Sequence, residues 1–279
     1  MNVSIVIPVY NEGAHLAACL EAIADQKVKP FEVIIVDNNS TDNTAEIAAS
    51  FPFARVIREK HQGVVHARNS GFDAARGEII GRVDADTILP TDWVSKVQQI
   101  FKDENVSAVS GSAHYYDFAL SGLADRVDFK LRGHLSKKLK QENFLWGANM
   151  ALRMSDWLAI REVLCNASQM HEDFDLGIHL QEHAYVVVYD ETLLAGVSSR
   201  RVDTGFRSFV NYSLVSPRTY AIHDLNSRRH MYPVLFVCWL AYFPSRLIYK
   251  AYNHESRSFS VTQLFSSSNS RIDPTTNIA

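Results

Sequence analysis

Residues 3 to 12 read VSIVIPVYNE. The first seven form an almost unbroken apolar run rich in β-branched residues, which indicates a strand buried on both faces. The polar residues Tyr10, Asn11 and Glu12 follow at once. A helical apolar stripe over Ala14 to Ala24 comes next, so the chain opens with a strand, a polar turn and a helix.

This strand-and-helix unit recurs along the first hundred residues. Further strands are predicted at Phe31–Val36, Arg55–Arg58 and Ile79–Val83, and helices at Thr44–Ser50, Val64–Ala75 and from a Thr91 cap to about Phe101. Apolar strands that alternate with helices predict an α/β fold, in which helices cover both faces of a mostly parallel sheet.

The second half continues the same sheet, because no linker precedes it. Strands are predicted at Val106–Ser110, Phe144–Leu152 and Tyr185–Tyr189, and helices at Phe118–Lys140, Asp156–Leu164 and Phe174–His183. We therefore expect one catalytic domain over residues 1–205. A C-terminal helical segment over 206–255 and a flexible Ser-, Thr- and Asn-rich tail over 256–279 complete the predicted organisation.

Composition and charge argue against two classes of protein. The 279 residues are 47% hydrophobic and carry a formal charge of -3, so the basic surplus typical of duplex-binding proteins is missing and we expect no nucleic-acid partner. The three cysteines, Cys19, Cys165 and Cys238, are scattered, which disfavours a disulfide framework. With no signal-peptide pattern at the N-terminus, the expected location is cytoplasmic.

Acidic and polar residues follow the predicted strands at their carboxyl ends. Glu12 follows the first strand, Asp37 the second, and Asp84 and Asp86 the fourth. Ligands of open parallel sheets bind at that edge. Neither G-x-G-x-x-G nor G-x-x-x-x-G-K-[ST] occurs, so a Rossmann dehydrogenase or a P-loop enzyme is disfavoured. Carboxylates repel a diphosphate, but they bind Mg²⁺ or Mn²⁺, which in turn binds a diphosphate.

Five segments, in order, resemble family 2 glycosyltransferases of the GT-A fold. They are residues 3–12, residues 36–44, residues 63–86 ending in Asp84-Ala85-Asp86, residues 146–151 and residues 171–176. The resemblance spans about residues 3–205. It implies a hexosyltransferase-type enzyme that uses a nucleotide-diphosphate sugar, uridine- or guanosine-linked, with Mn²⁺ or Mg²⁺ as cofactor.

The resemblance also implies residue roles. Tyr10 would stack beside the base, Glu12 would contact the ribose and Asp37 would hydrogen-bond the base, with Pro8 in the same donor-binding set. Arg68 would lie near the nucleotide or diphosphate, and Asp84 near the ribose or a metal-bound water. Asp86 would ligate the metal, Asp173 would be the general base, and Arg200 and Arg201 would steady the diphosphate.

The resemblance further implies inverting transfer to a glycan or lipid-linked acceptor in cell-envelope or polysaccharide synthesis. The Q-x-x-R-W signature of processive members is absent, which favours a single transfer over polymerisation. A nucleotidyltransferase is an alternative, although the expected Gly-rich loop is missing. A non-catalytic nucleotide-sugar-binding protein is another, and the intact D-x-D and Asp173 argue against it.

Several site residues also have purely structural interpretations. Asp84 and Asp86 suit a solvated turn, Asp37 a turn cap, and Tyr10 half-buried packing. Glu172 and Asp173 suit helix N-terminal charges, and the Arg200-Arg201 pair suits a solvated surface. Trp146 fits either the core or a sugar-stacking platform.

An aromatic-rich apolar run near the C-terminus allows two interpretations. Val234–Phe243 is too short to span a bilayer, and Pro244 and Arg246 are expected to interrupt it. One interpretation is a core helix. The other is a peripheral helix over residues 231–250 at the inner face of the cell membrane, with Arg246 and Lys250 reaching anionic phosphates.

Overall fold

The computed structural model describes residues 1–139, 144–167, 169–253 and 258–260, and its centre is one seven-stranded sheet. The strands lie in the order β3-β2-β1-β4-β6-β5-β7. They are β1 (Val3–Val9), β2 (Glu32–Asp37), β3 (Ala54–Arg58), β4 (Ile79–Arg82), β5 (Val106–Tyr115), β6 (Met150–Arg153) and β7 (Val186–Val197). In this sheet β6 runs antiparallel to β4 and β5, and the other pairs are parallel.

Helices cover both faces of this sheet. They are α1 (Leu16–Ala24), α2 (Thr44–Ala49), α3 (Val64–Ala74), α4 (Trp93–Ile100), α6 (Met154–Ile160) and α7 (Glu172–Glu182), with α5 (Ser121–Leu139) beside β5. Three further helices pack against α7 and one another, namely α8 (Phe206–Ser213), α9 (Val215–Ile222) and α10 (Met231–Ala251). Along β1, Ile5 and Ile7 join the core cluster shared with α1 and α4, whereas Val6 joins the cluster shared with α3, α6 and α7. This alternation follows the two-residue period of a strand, and it confirms the predicted α/β class.

The second half differs from the prediction in element lengths. The strand predicted at Phe144–Leu152 is shorter in the structure, where only β6 is extended. Residues 147–148 form a turn instead, and the Gly147 N–H donates a hydrogen bond to the Asp173 carboxylate. β5 and β7 extend beyond their predicted ends, to Tyr115 and Val197, with a register shift between Gly111 and Ser112. The Asn149 side chain bridges the two long strands by donating to the carbonyls of Ser112 and Leu193.

One predicted helix boundary also changes, since the residue before α4 is Asp92 rather than Thr91. α10 is one helix of 21 residues that continues through Pro244, so Pro244 interrupts the apolar run but not the helix. Pro244 lies on the exposed side, where the carbonyl that loses its helical donor can bind water.

The predicted tail over 256–279 lies mostly outside the described residues. Ser258–Phe259 (β9) pairs antiparallel with Tyr252–Asn253 (β8), directly after α10. Residues 254–257 and 261–279 are outside the described part of the chain.

Candidate active site

A cavity of about 460 Å³ opens where β1 and β4 end. The segment after β1 contributes one wall, the segment after β4 the floor, and the start of α7 a second wall. Helices α5 and α10 close the remaining side. Six of the predicted site residues line it: Pro8, Tyr10, Glu12, Asp84, Asp173 and Arg200.

Arg200 joins the ends of two strands. Its Nε donates to Asp86 Oδ2 at 2.8 Å, and a terminal nitrogen donates to both oxygens of Glu12 at 2.7 Å. All three side chains are buried. Arg200 lies in a short 3-10 helix, Arg200–Asp203, that follows β7. The fold therefore brings together three predicted residues that are up to 188 positions apart in sequence.

A second arginine, Arg82, organises the opposite side of the cavity. One terminal nitrogen lies 2.9 Å from Glu172 Oε1 and 3.3 Å from Asp84 Oδ1, and the other lies 3.8 Å from Asp173 Oδ2. Arg82 is the last residue of β4 and is buried. Gly147 makes room for it, because a Cβ on that residue would lie 0.8 Å from an Arg82 nitrogen.

Asp173 is held by backbone N–H groups on both oxygens. Gly147 donates to Oδ2 at 2.7 Å and Phe174 donates to Oδ1 at 2.9 Å. Burial raises the pKa of Asp173 above its ordinary value, and Arg82 and these two N–H groups oppose that rise. Burial also raises the pKa of Glu172. A fixed carboxylate with a raised pKa is a stronger base than a solvated one.

Four other predicted residues are not part of the cavity lining, namely Asp37, Arg68, Asp86 and Arg201. Asp86 lies next to the lining, bound to Arg200. Asp37 accepts a hydrogen bond from the Ser40 N–H at 3.0 Å, which is the turn-capping arrangement. Arg201 stacks on the ring of Tyr212, with its guanidinium carbon 3.9 Å from the ring centre. Tyr212 itself lines the cavity.

Arg68, predicted near the diphosphate, lies behind the α7 wall. It is 1% exposed and packs against Phe72 and Trp157. One terminal nitrogen donates to the Glu172 carbonyl at 3.0 Å. This geometry supports the start of α7, and no atom of Arg68 is part of the described cavity lining.

Sequence reasoning missed Arg82 and the α5 side of the cavity. A charged residue in the otherwise apolar strand β4 was the available signal, since buried arginines are almost always paired. On the α5 side, Arg132 stacks on Trp146 at 3.8 Å and donates to Asp128 at 2.7 Å. One face of Trp146 is therefore covered. Asp128 and Arg132 are four residues apart on α5, so their pairing was readable from the sequence, but no spacing links them to Trp146.

The donor set around Asp86 suits a hard divalent cation. The carboxylates of Glu12 and Asp86 converge on the guanidinium of Arg200, and the Asp84 carboxylate, two residues before Asp86, contacts Arg82. Carboxylate oxygens are the preferred ligands of Mg²⁺ and Mn²⁺. Across the cavity Glu172 and Asp173 add two further carboxylates, so the acidic groups outnumber Arg82 and Arg200.

Helix α10 has one side at the cavity and the other at the surface. Val234 and Cys238 line the cavity. The opposite side carries an apolar stripe that is between 48% and 65% exposed and consists of Tyr232, Phe236, Leu240, Phe243 and Leu247. Within the described residues, the helical stretch Asn226–Ala251 is long and apolar enough to cross a membrane, and 11% of its most apolar window is buried.

The two basic residues predicted to reach anionic phosphates pair with an acidic residue in this structure. Arg246 and Lys250 both turn toward Asp203, at 3.5 Å and 3.4 Å from its Oδ1. The exposed cations near this helix are Arg228 and Arg229, which precede it.

Comparison with known proteins gives consistent matches. The sequence model of Glycosyl transferase family 2 matches residues 4–160. The glycosyltransferase GlyG of Streptococcus pneumoniae is 34% identical over 120 residues, which is 41% of this chain and 40% of GlyG. AglE of Haloferax volcanii, also a glycosyltransferase, is 29% identical over 54% of this chain and 52% of its own length. The chain thus matches only about half or less of these curated relatives.

Solved structures share the fold. The mannosyltransferase PcManGT of Pyrobaculum calidifontis, solved with GDP-mannose and Mn²⁺, superposes with a TM-score of 0.63 over 94% of this chain and 77% of its own, at 17% identity. Glucosyl-3-phosphoglycerate synthase of Mycobacterium tuberculosis, solved with Mn²⁺ and UDP-glucose, gives 0.58 over 80% of each chain, also at 17% identity. At this identity the likeness establishes the fold, and it confirms the predicted GT-A architecture.

Proposed function

Because the chain belongs to glycosyltransferase family 2, we propose that it transfers a sugar from a nucleotide-diphosphate sugar to an acceptor hydroxyl, with inversion at the anomeric carbon. The observation that carries this proposal is the buried Asp173 carboxylate, fixed by two backbone N–H groups in the wall of the cavity. It faces a floor made of the acidic segment after β4.

Asp173 is the general base in this proposal. It removes the proton from the acceptor hydroxyl as the acceptor oxygen attacks the anomeric carbon. The bond from that carbon to the diphosphate oxygen breaks in the same displacement, so the configuration inverts. Arg82 holds Asp173 and Glu172 in place, and burial gives the carboxylate its basicity.

The donor occupies the β1 and β4 side. Pro8, Tyr10 and Glu12 line that wall, and in this proposal they contact the nucleoside. Asp86, with Asp84, would hold Mn²⁺ or Mg²⁺, which neutralises charge on the leaving diphosphate when it is bound. Mn²⁺ accompanies the nucleotide sugar in the two solved relatives, which supports a divalent cation here.

The nucleoside of the donor is uridine or guanosine. UDP-glucose and GDP-mannose are the donors bound in those two relatives. Asp37 contributes to the base end of the site through the loop that it caps. Arg200, which holds Glu12 and Asp86 in this structure, would supply positive charge to the diphosphate, with Arg201 next to it in the sequence.

The acceptor is a glycan or lipid-linked hydroxyl that enters from the α5 and α10 side. Trp146, Asp128 and Arg132 line that part of the cavity. The apolar stripe of α10 docks on an anionic lipid surface, because its spacing of three and four residues forms one continuous face. Arg228 and Arg229 supply the basic flank. The enzyme then works at the cytoplasmic face of the membrane in cell-envelope glycan synthesis.

The test is turnover of a panel of UDP- and GDP-sugars by the full chain with Mn²⁺, followed by proton NMR of the product. We expect the anomeric configuration to be opposite to that of the donor. Asp173→Asn should lower the rate by about two to four orders of magnitude with little change in nucleotide affinity. Glu104→Gln, which neutralises an exposed acidic residue far from the cavity, is the control. Retention of configuration, or near wild-type turnover by Asp173→Asn, contradicts the proposal.

A further inference from the structure

A second cluster of metal-binding residue types lies on the far side of α7 from the cavity. It consists of Cys165, Asp175, His179 and His223, and one ligand atom from each lies within 4.8 Å of the others. Cys165 comes from the loop after α6, Asp175 and His179 from α7, and His223 follows α9. None of these residues lines the described cavity.

The atoms are spaced as zinc ligands are. Cys165 Sγ lies 3.5 Å from His179 Nε2, and Asp175 Oδ1 lies 3.5 Å from the same nitrogen and 2.9 Å from His223 Nε2. Tetrahedral Zn²⁺ with ordinary bond lengths separates its sulfur, nitrogen and oxygen ligands by roughly 3.3 to 3.6 Å. Two of these three separations lie in that range, and all four donor atoms lie within 4.8 Å of one another, so binding one ion requires only that the wider pairs approach.

The two imidazoles present the same nitrogen to the centre of the cluster. Each directs Nε2 inward, and each directs Nδ1 toward Glu182, at 3.1 Å for His179 and 3.7 Å for His223. The negative charge of Glu182 favours a proton on each Nδ1, which leaves the Nε2 lone pairs available to a metal ion. In the absence of an ion, His223 Nε2 and Asp175 Oδ1 pair with each other at 2.9 Å.

Burial strengthens this argument. The Asp175 side chain is fully buried, and those of His223 and His179 are 5% and 12% exposed. The Cys165 N–H donates to Asp175 Oδ2 at 3.2 Å, so the loop is already tied to the helix at this point. A buried carboxylate, two histidines and a thiol form a mixed donor set that suits Zn²⁺ better than Mg²⁺ or Mn²⁺.

We propose that Cys165, Asp175, His179 and His223 bind one Zn²⁺ ion, with Glu182 as the group that orients both histidines. The ion ties the loop after α6 and the end of α9 to α7. Because α7 begins with Glu172 and Asp173, the zinc site anchors the helix that carries the proposed base. This site is separate from the Asp86 site and independent of the proposed reaction.

The experiment uses the full chain purified without a polyhistidine tag. Zinc is measured by mass spectrometry after dialysis, and Co²⁺ is then substituted for Zn²⁺ and followed by absorption. We expect about one zinc per chain, and a cobalt spectrum with a thiolate charge-transfer band in the near ultraviolet and tetrahedral bands in the visible. Added Zn²⁺ should raise the melting temperature of the stripped protein by roughly 5 °C.

Variants locate the ion. Cys165→Ser should abolish the charge-transfer band, and Glu182→Gln should weaken zinc binding by about 10- to 100-fold. Cys19→Ala and Cys238→Ser are the matched controls, because Cys19 contacts the Asp84 carbonyl and Cys238 lines the cavity. Both should keep the band, which excludes binding at the Asp86 site.

Three results would overturn the proposal. One is a wild-type chain that neither retains zinc nor gives a thiolate–cobalt band. Another is a Cys165→Ser variant with an unchanged cobalt spectrum. The third is loss of the band in Cys238→Ser or Cys19→Ala alone. If Cys165→Ser does not fold, Glu182→Gln decides, and zinc affinity equal to that of the wild type then contradicts the assignment.

Discussion

The Arg200 guanidinium donates to the Asp86 carboxylate at 2.8 Å, across 114 positions of sequence. Asp86 is the residue proposed to hold the divalent cation. In this structure its carboxylate is already bound by the guanidinium of Arg200. Metal binding therefore requires Arg200 to yield part of this contact. A charge-assisted hydrogen bond of this kind contributes about 1.5 to 3 kcal/mol.

Replacing Arg200 should separate metal binding from donor binding. Without nucleotide, we expect Arg200→Ala to bind Mn²⁺ more tightly, on the order of 10-fold, because the competing cation is gone. The same variant should raise KM for the donor, since the diphosphate loses a cationic partner. Calorimetric titration with Mn²⁺ and steady-state kinetics measure the two effects. Arg201→Ala should leave Mn²⁺ affinity unchanged, and weaker Mn²⁺ binding by Arg200→Ala would refute this competition.

Gly147 tests the role of Arg82. In Gly147→Ala, the new methyl group would lie on the Arg82 guanidinium and displace it from Glu172 and Asp173. A misplacement of about 1 Å in such a site typically costs roughly 10²-fold in rate, so we expect kcat to fall by that order. Gly122→Ala is the matched control, because a Cβ there meets nothing within 4 Å. Equal kcat values for the two variants would remove Arg82 from the positioning of the base.

The pH dependence of the rate reports on the ionisation of the buried pair Glu172 and Asp173. Asp173 accepts a proton only when it is ionised, and burial raises its pKa above the ordinary 3.8. The rate should therefore fall as pH drops through this raised pKa. Arg82 opposes the rise at both Glu172 and Asp173, so Arg82→Gln should move the acidic limb of kcat/KM to higher pH. The limb belongs to the coupled pair rather than to either residue.

The control for this profile is Arg58→Gln, which removes an exposed arginine. An acidic limb that stays in place, or moves to lower pH, in Arg82→Gln would contradict the assignment. The pH dependence of stability has the opposite sign to that of the rate. Acids with raised folded pKa values stabilise the native state at low pH, and that contribution is lost as pH rises through the folded pKa.

The sequence predicted the fold better than it predicted the site. Apolar strands and helical stripes located β1 to β4 to within two residues, because each pattern is local. The ends of β5 and β7 were missed because the Asn149 bridge and the register shift that extend them depend on residues far apart. The helix predicted over residues 231–250 matches α10 to within one residue, because its apolar pattern is also local.

Among the site residues, too, those set by local sequence could be predicted and those set by distant contacts could not. Asp84, Asp86 and Glu12 could be predicted, because carboxyl ends of neighbouring parallel strands share one edge. The bridging by Arg200 and the support from Arg82 could not, since they depend on the path of the chain after β7 and on the space left by Gly147. Whether Arg68 acts on the diphosphate stays a prediction, and its contact with the Glu172 carbonyl gives it a supporting role in this structure.

The apolar stripe of α10 predicts binding to anionic vesicles. We expect a triple variant of the full chain, Phe236→Gln, Leu240→Gln and Leu247→Gln, to co-sediment less with phosphatidylglycerol-containing liposomes, by on the order of 10-fold or more. The reason is that three apolar side chains no longer insert into the membrane interface. The matched control combines Phe31→Gln, Phe53→Gln and Leu158→Gln, three comparably exposed apolar residues elsewhere on the surface. Equal recovery of both triple variants with the vesicles, at low salt, would argue against the stripe as the docking face.

The most direct test of the proposed function is calorimetric binding of UDP and GDP to the full chain, in Mn²⁺ and in EDTA, for the wild type and Asp86→Ala. We predict that one of the two nucleotides binds the wild type in Mn²⁺, and that EDTA or Asp86→Ala weakens this binding by at least about 10-fold, because the diphosphate loses its cation. Circular dichroism confirms that the variant is folded. Failure of both nucleotides to bind, or equal affinity with and without Mn²⁺ in both proteins, would contradict a metal-dependent nucleotide-sugar site built on Asp86.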